Sequence, residues 1–263
     1  MTDFLFFANP ALLPALMLVL LAACIEVPYR LRGFLSQTRV NMDAWNAVQA
    51  GILTLAAFVL GLSFSQASAR FDARRGLVMK EANAIGTTFL RANQLQPSQA
   101  RAFRAILIGY TAARLRAYQT PGDRPLYERT VAQSSREQAQ MWSLASSDLR
   151  AHQTNLGLSL LIESLNDTID VSAQQLQALQ GHVPTAMVLF TLALVVLGAL
   201  STGVRFAHDN SRPLLLSAIY VVASVVVISM VVDYDRPQTG LVTVDFGPLS
   251  RQLQSMQTGE HNS

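Results

Sequence analysis

WNAVQAGILTLAAFVLGLSFSQASARFDARRG, residues 45–76, contains an apolar run (47–64) and then continues without a proline through Arg70, Arg74 and Arg75. A bilayer crossing needs about 20 mostly apolar helical residues, so the run predicts a span, and the missing breaker predicts a helix that continues past it. Three further stretches, 10–27, 184–204 and 213–232, have the same length and character. Two spans therefore stand at each end of the chain, with the polar segment 65–183 between them. The expected fold is an all-α membrane protein, four transmembrane helices with a helical-bundle extramembrane domain inserted between spans two and three. The expected division is 1–64, first transmembrane helix pair; 65–183, helical domain; 184–232, second pair; 233–263, C-terminal tail.

Composition agrees. Of 263 residues, 51% are hydrophobic and 14% charged, whereas soluble domains carry about a quarter charged. The formal net charge is +3, but the cations are scattered arginines beside the spans, with no basic run interleaved with aromatics. This reads against nucleic acid as a partner. Cys24, the single cysteine, lies inside the first span and offers no disulfide or CxxC pair. The segment MTDFLFFANP has no Lys or Arg, unlike the basic n-region of a cleaved signal peptide, so the first span is expected to be retained. Glu26, followed by Tyr29, Arg30 and Arg32, is expected at the interface, paired or snorkelling.

On the second span, Gln49, Ile52, Ala56, Val59, Ser63 and Gln66 share one face at 3/4 spacing, polar at the ends and small or apolar in the centre. Such a face suits a pore with a hydrophobic constriction, and Arg70, Arg74 and Arg75 beyond it suit an ion-attracting mouth. The same helix also suits close packing through Gly51, Ala56, Ala57 and Gly61.

The middle segment reads as wholly helical. KEANAIGTTFLRANQL (80–95) continues the long helix, and Pro97-Ser98 starts another through about Tyr118, with Phe103, Ile106, Leu107, Tyr110, Ala113 and Leu115 in its apolar stripe. TPGDRP (120–125) is the strongest turn signal. The helix from about 126 to 149 is expected to bury Val131, Met141, Trp142 and Ala145. The last one places Leu158, Ile162, Leu165, Ile169, Ser172 and Leu176 at alternating steps of four and three, a heptad seam. Glu81 and Asn83 are polar where the long helix should face the bundle, which predicts a structural polar network with Asn166 or Asp167.

Enzymatic chemistry finds little support. The histidines lack ligand spacing, and no nucleophile elbow, phosphate-binding glycine loop or Cys/His cluster is present, so no catalytic residue, metal ligand or cofactor is assigned. Asp167 with Asp170, and Asp233 with Asp235, could hold a hard cation through oxygen. The reading preferred over a cation site is a solvated helix face for the first pair and a salt-bridged helix end for the second.

EANAIGTTFLRANQL after the second span, LNDTIDVS followed by HVP at the third, and DYDRPQTGLVTVDFGPL after the fourth resemble, in order and position, the bestrophin-like family of bacterial membrane proteins. The resemblance covers nearly the whole chain. It implies four spans, a helical domain at the membrane, several copies assembled around an axis, and anion conduction as in bestrophins. The chain departs from bestrophins proper in lacking an acidic cluster like their calcium clasp, and in having Ile52, Ala56 and Val59 where bulkier neck side chains would stand.

Two function classes follow. One is a homo-oligomeric ion channel, a ring with inorganic ions, anions favoured, as its cargo and the lipid bilayer as its surroundings. The other is a non-conducting receptor or scaffold whose helical domain binds a ligand or partner. The expected location is a bacterial inner membrane. Arg30, Arg32, Arg39, Arg205 and Arg212 crowd the two short loops, which places those loops in the cytoplasm and leans the helical domain to the exterior.

Overall fold

A computed structural model describes residues 12–35, 41–119, 124–151, 154–181, 183–235, 240 and 242–261. Its helices are α1 (Leu12–Arg30), α2 (Met42–Arg91), α3 (Pro97–Gln119), α4 (Arg124–Ala151), α5 (Leu156–Gln180), α6 (Thr185–His208), α7 (Leu214–Asp235) and α8 (Gly247–His261). A single turn, Arg32–Leu35, follows α1, and no strand occurs among the described residues. Most of the TPGDRP turn, residues 120–123, lies outside them. The α2 helix runs for 50 residues without interruption, as the proline-free sequence requires. Four helices, α1, α2, α6 and α7, are long and apolar enough to cross a membrane. The chain divides into two compact units, residues 1–71 with 182–242, and residues 72–181 with 243–263.

In the first unit α1 packs on α6 and α7, and Leu21, Ile25, Val59, Val195, Ala199 and Val225 share one buried cluster. Lipid tails are as apolar as these side chains, so packing depends on close approach and polar ties rather than on exclusion of water. Gly203 supplies a close approach of backbone to backbone: a Cβ there would lie 2.5 Å from the Ile25 carbonyl oxygen. Polar ties join α2 to α6. Trp45 Nε1 donates to the Ser201 carbonyl at 3.3 Å, and Gln49 Nε2 to Thr202 Oγ1 at 3.0 Å. The chain entering α6 is also tied to the end of α7, the Val183 amide donating to Asp235 Oδ1 at 3.0 Å.

The second unit has a larger core, in which Ile85, Phe103, Leu107, Tyr110, Met141 and Leu165 are fully enclosed. The α2 and α5 helices run antiparallel, with Thr88 Oγ1 2.8 Å from the Ser164 carbonyl and 2.9 Å from Thr168 Oγ1. The buried face of α5 is Leu158, Leu161, Leu165, Thr168, Ser172 and Gln175. Leu158, Leu165 and Ser172 of the expected seam are buried, while Ile162, Ile169 and Leu176 are half-buried at its edge, so the inward face is turned slightly from the expected one. Thr168 and Gln175 occupy inward positions that a hydrophobic pattern cannot reveal. Met141 and Ala145 are enclosed as expected, whereas Trp142, one residue further round the helix than Met141, is 40% exposed. Within the segment read as a tail, α8 joins this core through Leu249 and Met256.

Candidate functional site

The α2 face expected to line a pore is mostly turned into the protomer's own spans. Ala56 and Val59 belong to the buried cluster of the first unit. Ser63 is 2% exposed, donates to the Val59 carbonyl at 2.8 Å and pairs with Thr191 Oγ1 at 3.2 Å. Gln49, tied to Thr202, and Ile52 are half-buried; Gln66 alone of the six is exposed. These side chains have little surface left beyond the contacts with the other spans of the same chain. The mixture of polar ends and small centre that suggested a pore is here the composition of a close-packed helix contact, with Ser and Thr hydrogen-bonded across it.

A neighbouring face of α2, roughly 100° further round the helix axis, is open. Val48, Leu55, Phe58 and Leu62 are 62%, 45%, 62% and 44% exposed, and Gly51, Ser65 and Ala69 are exposed between and beyond them. Their spacing of 3, 4, 3, 4, 3 and 4 keeps them in one stripe. From Leu55 through Leu62 the stripe is bulky and apolar, and at Ser65 and Ala69 its side chains become small. Only 17% of the apolar window of α2 is buried, against 39% for α6, so α2 is the least covered of the spans. Added Cβ atoms at Gly51 and Gly61 would meet nothing within 4 Å, which removes these glycines from packing within the protomer.

The three arginines expected at an ion-attracting mouth have different fates. Arg70 is half-buried and Arg75 exposed. Arg74 is 3% exposed and donates through Nε to the Ala178 carbonyl at 3.0 Å and through Nη2 to that of Gly181 at 2.6 Å. It thereby satisfies carbonyls that the end of α5 leaves without helical partners and places a cation at the negative end of the helix dipole.

Of the expected polar network only Glu81 is enclosed. Asn83, Asn166 and Asp167 are exposed, and Asn166 donates to Asp170 at 3.1 Å. Glu81 instead meets α3: Arg114 Nε donates to Oε1 at 2.7 Å and the Tyr118 hydroxyl to Oε2 at 3.2 Å. Arg114 Nη2 also bonds the Tyr118 hydroxyl. Phe246, just before α8, stacks on the Tyr118 ring with centroids 4.5 Å apart. Burial, and then the neighbouring Glu81 charge, hold the Tyr118 hydroxyl well above the ordinary tyrosine range; the same two causes raise Tyr110. For Arg114 burial opposes the charge, but the adjacent Glu81 carboxylate outweighs it and the guanidinium is held above its usual value. A sequence signal for this pairing existed. Arg114 lies on the Phe103–Leu107–Tyr110 stripe of α3, where a cation needs a buried carboxylate.

The two aspartate pairs are separated by their bonds. Asp235 caps Val183, Asp233 accepts from the Val242 amide at 2.9 Å, and Asp170 accepts from Asn166. Among the described residues no group of three or more His, Cys, Asp or Glu gathers to hold a metal ion.

Comparison with known proteins places this geometry. The family described as Bestrophin-like matches residues 17–249 as a Bestrophin-like domain. No curated protein matches the chain. Among solved structures, a bacterial bestrophin homologue from Klebsiella pneumoniae carrying one substitution is similar at 15% identity, covering 93% of this chain and 94% of that one, with a TM-score of 0.68. Another structure of a bacterial bestrophin homologue from that organism is similar at 16% identity, covering 95% and 96%, with a TM-score of 0.63. At such identities the likeness is one of fold.

Proposed function

We propose that this chain, which belongs to the bestrophin-like family, is an integral membrane protein acting as one subunit of a ring-shaped homo-oligomeric ion channel, anions favoured, with the open face of α2 lining the pore. The observation that carries this reading is the exposed stripe Gly51, Leu55, Phe58, Leu62, Ser65 and Ala69 on the least covered span. Several copies around an axis would turn Leu55, Phe58 and Leu62 into successive apolar rings, which resist ions because they offer nothing to replace hydration water. The small side chains of Ser65 and Ala69 would widen the path beyond those rings, and Ser65 would supply a ring of hydroxyls.

Anion preference would come from exposed Arg75 and half-buried Arg70 beyond the stripe, since arginine rings select anions as carboxylate rings select cations. Arg74 is excluded from that role by its helix-capping bonds. The helices between α2 and α6 form the extramembrane domain in this reading, and the arginine-rich short loops lean it to the exterior of a bacterial inner membrane. Reporter fusions at the C-terminus test that side.

Purified protein in liposomes tests the function. Chloride efflux after valinomycin-clamped loading, absent in empty vesicles and weaker with a bulky organic anion, is the expected result. A correctly assembled oligomer that passes no ion would favour a receptor or scaffold.

A further inference from the structure

We infer that a cavity beneath Arg212 is a binding site for one anionic phospholipid, the acyl chain in the cavity and the phosphate on an arginine rim. The cavity, of about 520 Å³, lies among α1, α6 and α7, with Leu18, Ala22, Phe206, Leu214 and Val222 in its wall. That volume falls in the usual range of small-molecule sites, and the wall is apolar as such sites are.

The rim is charged. Arg212 Nη2 lies 2.7 Å from both oxygens of Glu26, and Arg30 Nε lies 2.9 Å from Oε1. One carboxylate therefore takes one nitrogen from each of two guanidiniums, each of which carries five N–H donors. The side chains of Arg30 and Arg212 remain 76% and 50% exposed. Tyr29 brings a third guanidinium into the group: Arg32 stands 5.0 Å and Arg212 5.4 Å from its ring centroid. Three arginines against one glutamate leave two positive charges at the mouth of an apolar slot, where the apolar part of α1 ends.

This pairing of features selects the ligand. Basic pockets between membrane helices bind anionic headgroups, and arginine forks match phosphate oxygens in pairs. A zwitterionic lipid would bring an ammonium against the arginines, and free phosphate would leave the slot unused.

Delipidated protein in detergent is tested by native mass spectrometry and thermal unfolding with phosphatidylglycerol, phosphatidylcholine or inorganic phosphate. The expected result is one retained phosphatidylglycerol that raises the unfolding temperature, with phosphatidylcholine bound at least about tenfold more weakly, the worth of one charge-assisted hydrogen bond, and no effect of phosphate. R30Q/R32Q should lose that preference, and A22W, which fills the slot and leaves the rim intact, should lose retention of the lipid. The inference is overturned by equal binding of both lipids, by an equal effect of inorganic phosphate, by unchanged binding in R30Q/R32Q and A22W, or by A22W dissociating the oligomer, which would assign the slot to a second copy.

Discussion

Arg114 Nε and Glu81 Oε1 meet at 2.7 Å, with 7% and 0% of their side chains exposed. The pair joins α2 to α3 in the second unit, and Tyr118 and Phe246 extend it to the segment leading into α8. A pair so enclosed ranks low as a source of net stability but high in the cost of breaking it, because removal of one partner leaves an unpaired buried charge.

Glu81→Ala should therefore destabilise the protein by about 3–5 kcal/mol. Glu81→Leu with Arg114→Met, which removes both charges, should recover most of the loss. Thermal unfolding in detergent reads both. A double variant no more stable than Glu81→Ala would show that the pair contributes more than mutual charge compensation.

Alkaline pH should weaken the second unit. An ordinary tyrosine titrates near pH 10, and Tyr118 and Tyr110 are held above that value when folded. Their contribution is fully present below about pH 10 and is lost as pH rises through the folded values, because the unfolded chain sheds protons that the folded one keeps. Tyr118→Phe should flatten the decline of unfolding temperature above pH 10, whereas Tyr127→Phe, at a half-buried position with a smaller upward push, should leave it steep.

The glycines divide by what surrounds them. At Gly203 a methyl group would meet the Ile25 carbonyl oxygen, so Gly203→Ala should cost about 1–3 kcal/mol through overpacking. Gly51→Ala and Gly61→Ala face open space within the protomer and should leave its folding unchanged. In the proposed oligomer they should instead alter subunit number or dissociation, read by light scattering in detergent.

Leu249→Ala should lower stability by about 2–5 kcal/mol, the usual cost of a cavity at an enclosed leucine, since Leu249 is fully buried in the second unit's core. Ser255→Ala, at an exposed position on α8, should be neutral by the same unfolding measurement.

The sequence conveyed helices and spans more faithfully than faces. The proline-free length of α2, the four apolar runs and the stripe Phe103–Leu107–Tyr110 were legible because length and hydrophobicity decide them. Orientation around a helix was not. Thr168, Gln175 and Ser63 point inward where a polar residue reads as outward, and Leu55, Phe58 and Leu62 point outward where an apolar residue reads as core. In a bilayer both faces of a span can be apolar, so hydropathy alone cannot select the covered one. Glu81 was recognisable as buried, and Arg114 on the Phe103–Leu107–Tyr110 stripe marked a cation in need of a carboxylate, but no spacing along the chain joins the two, because their contact is fixed by how α2 crosses α3.

The central claim, that the open face of α2 walls the ion path, is tested most directly by comparing Phe58→Ser with Val59→Ser in liposome flux. These adjacent residues are 62% and 8% exposed. The account predicts that Phe58→Ser raises anion flux severalfold in a correctly assembled oligomer, by replacing an apolar ring with hydroxyls, while Val59→Ser lowers stability without raising flux. Increased flux in Val59→Ser with none in Phe58→Ser would contradict it and return the pore to the face that carries Val59.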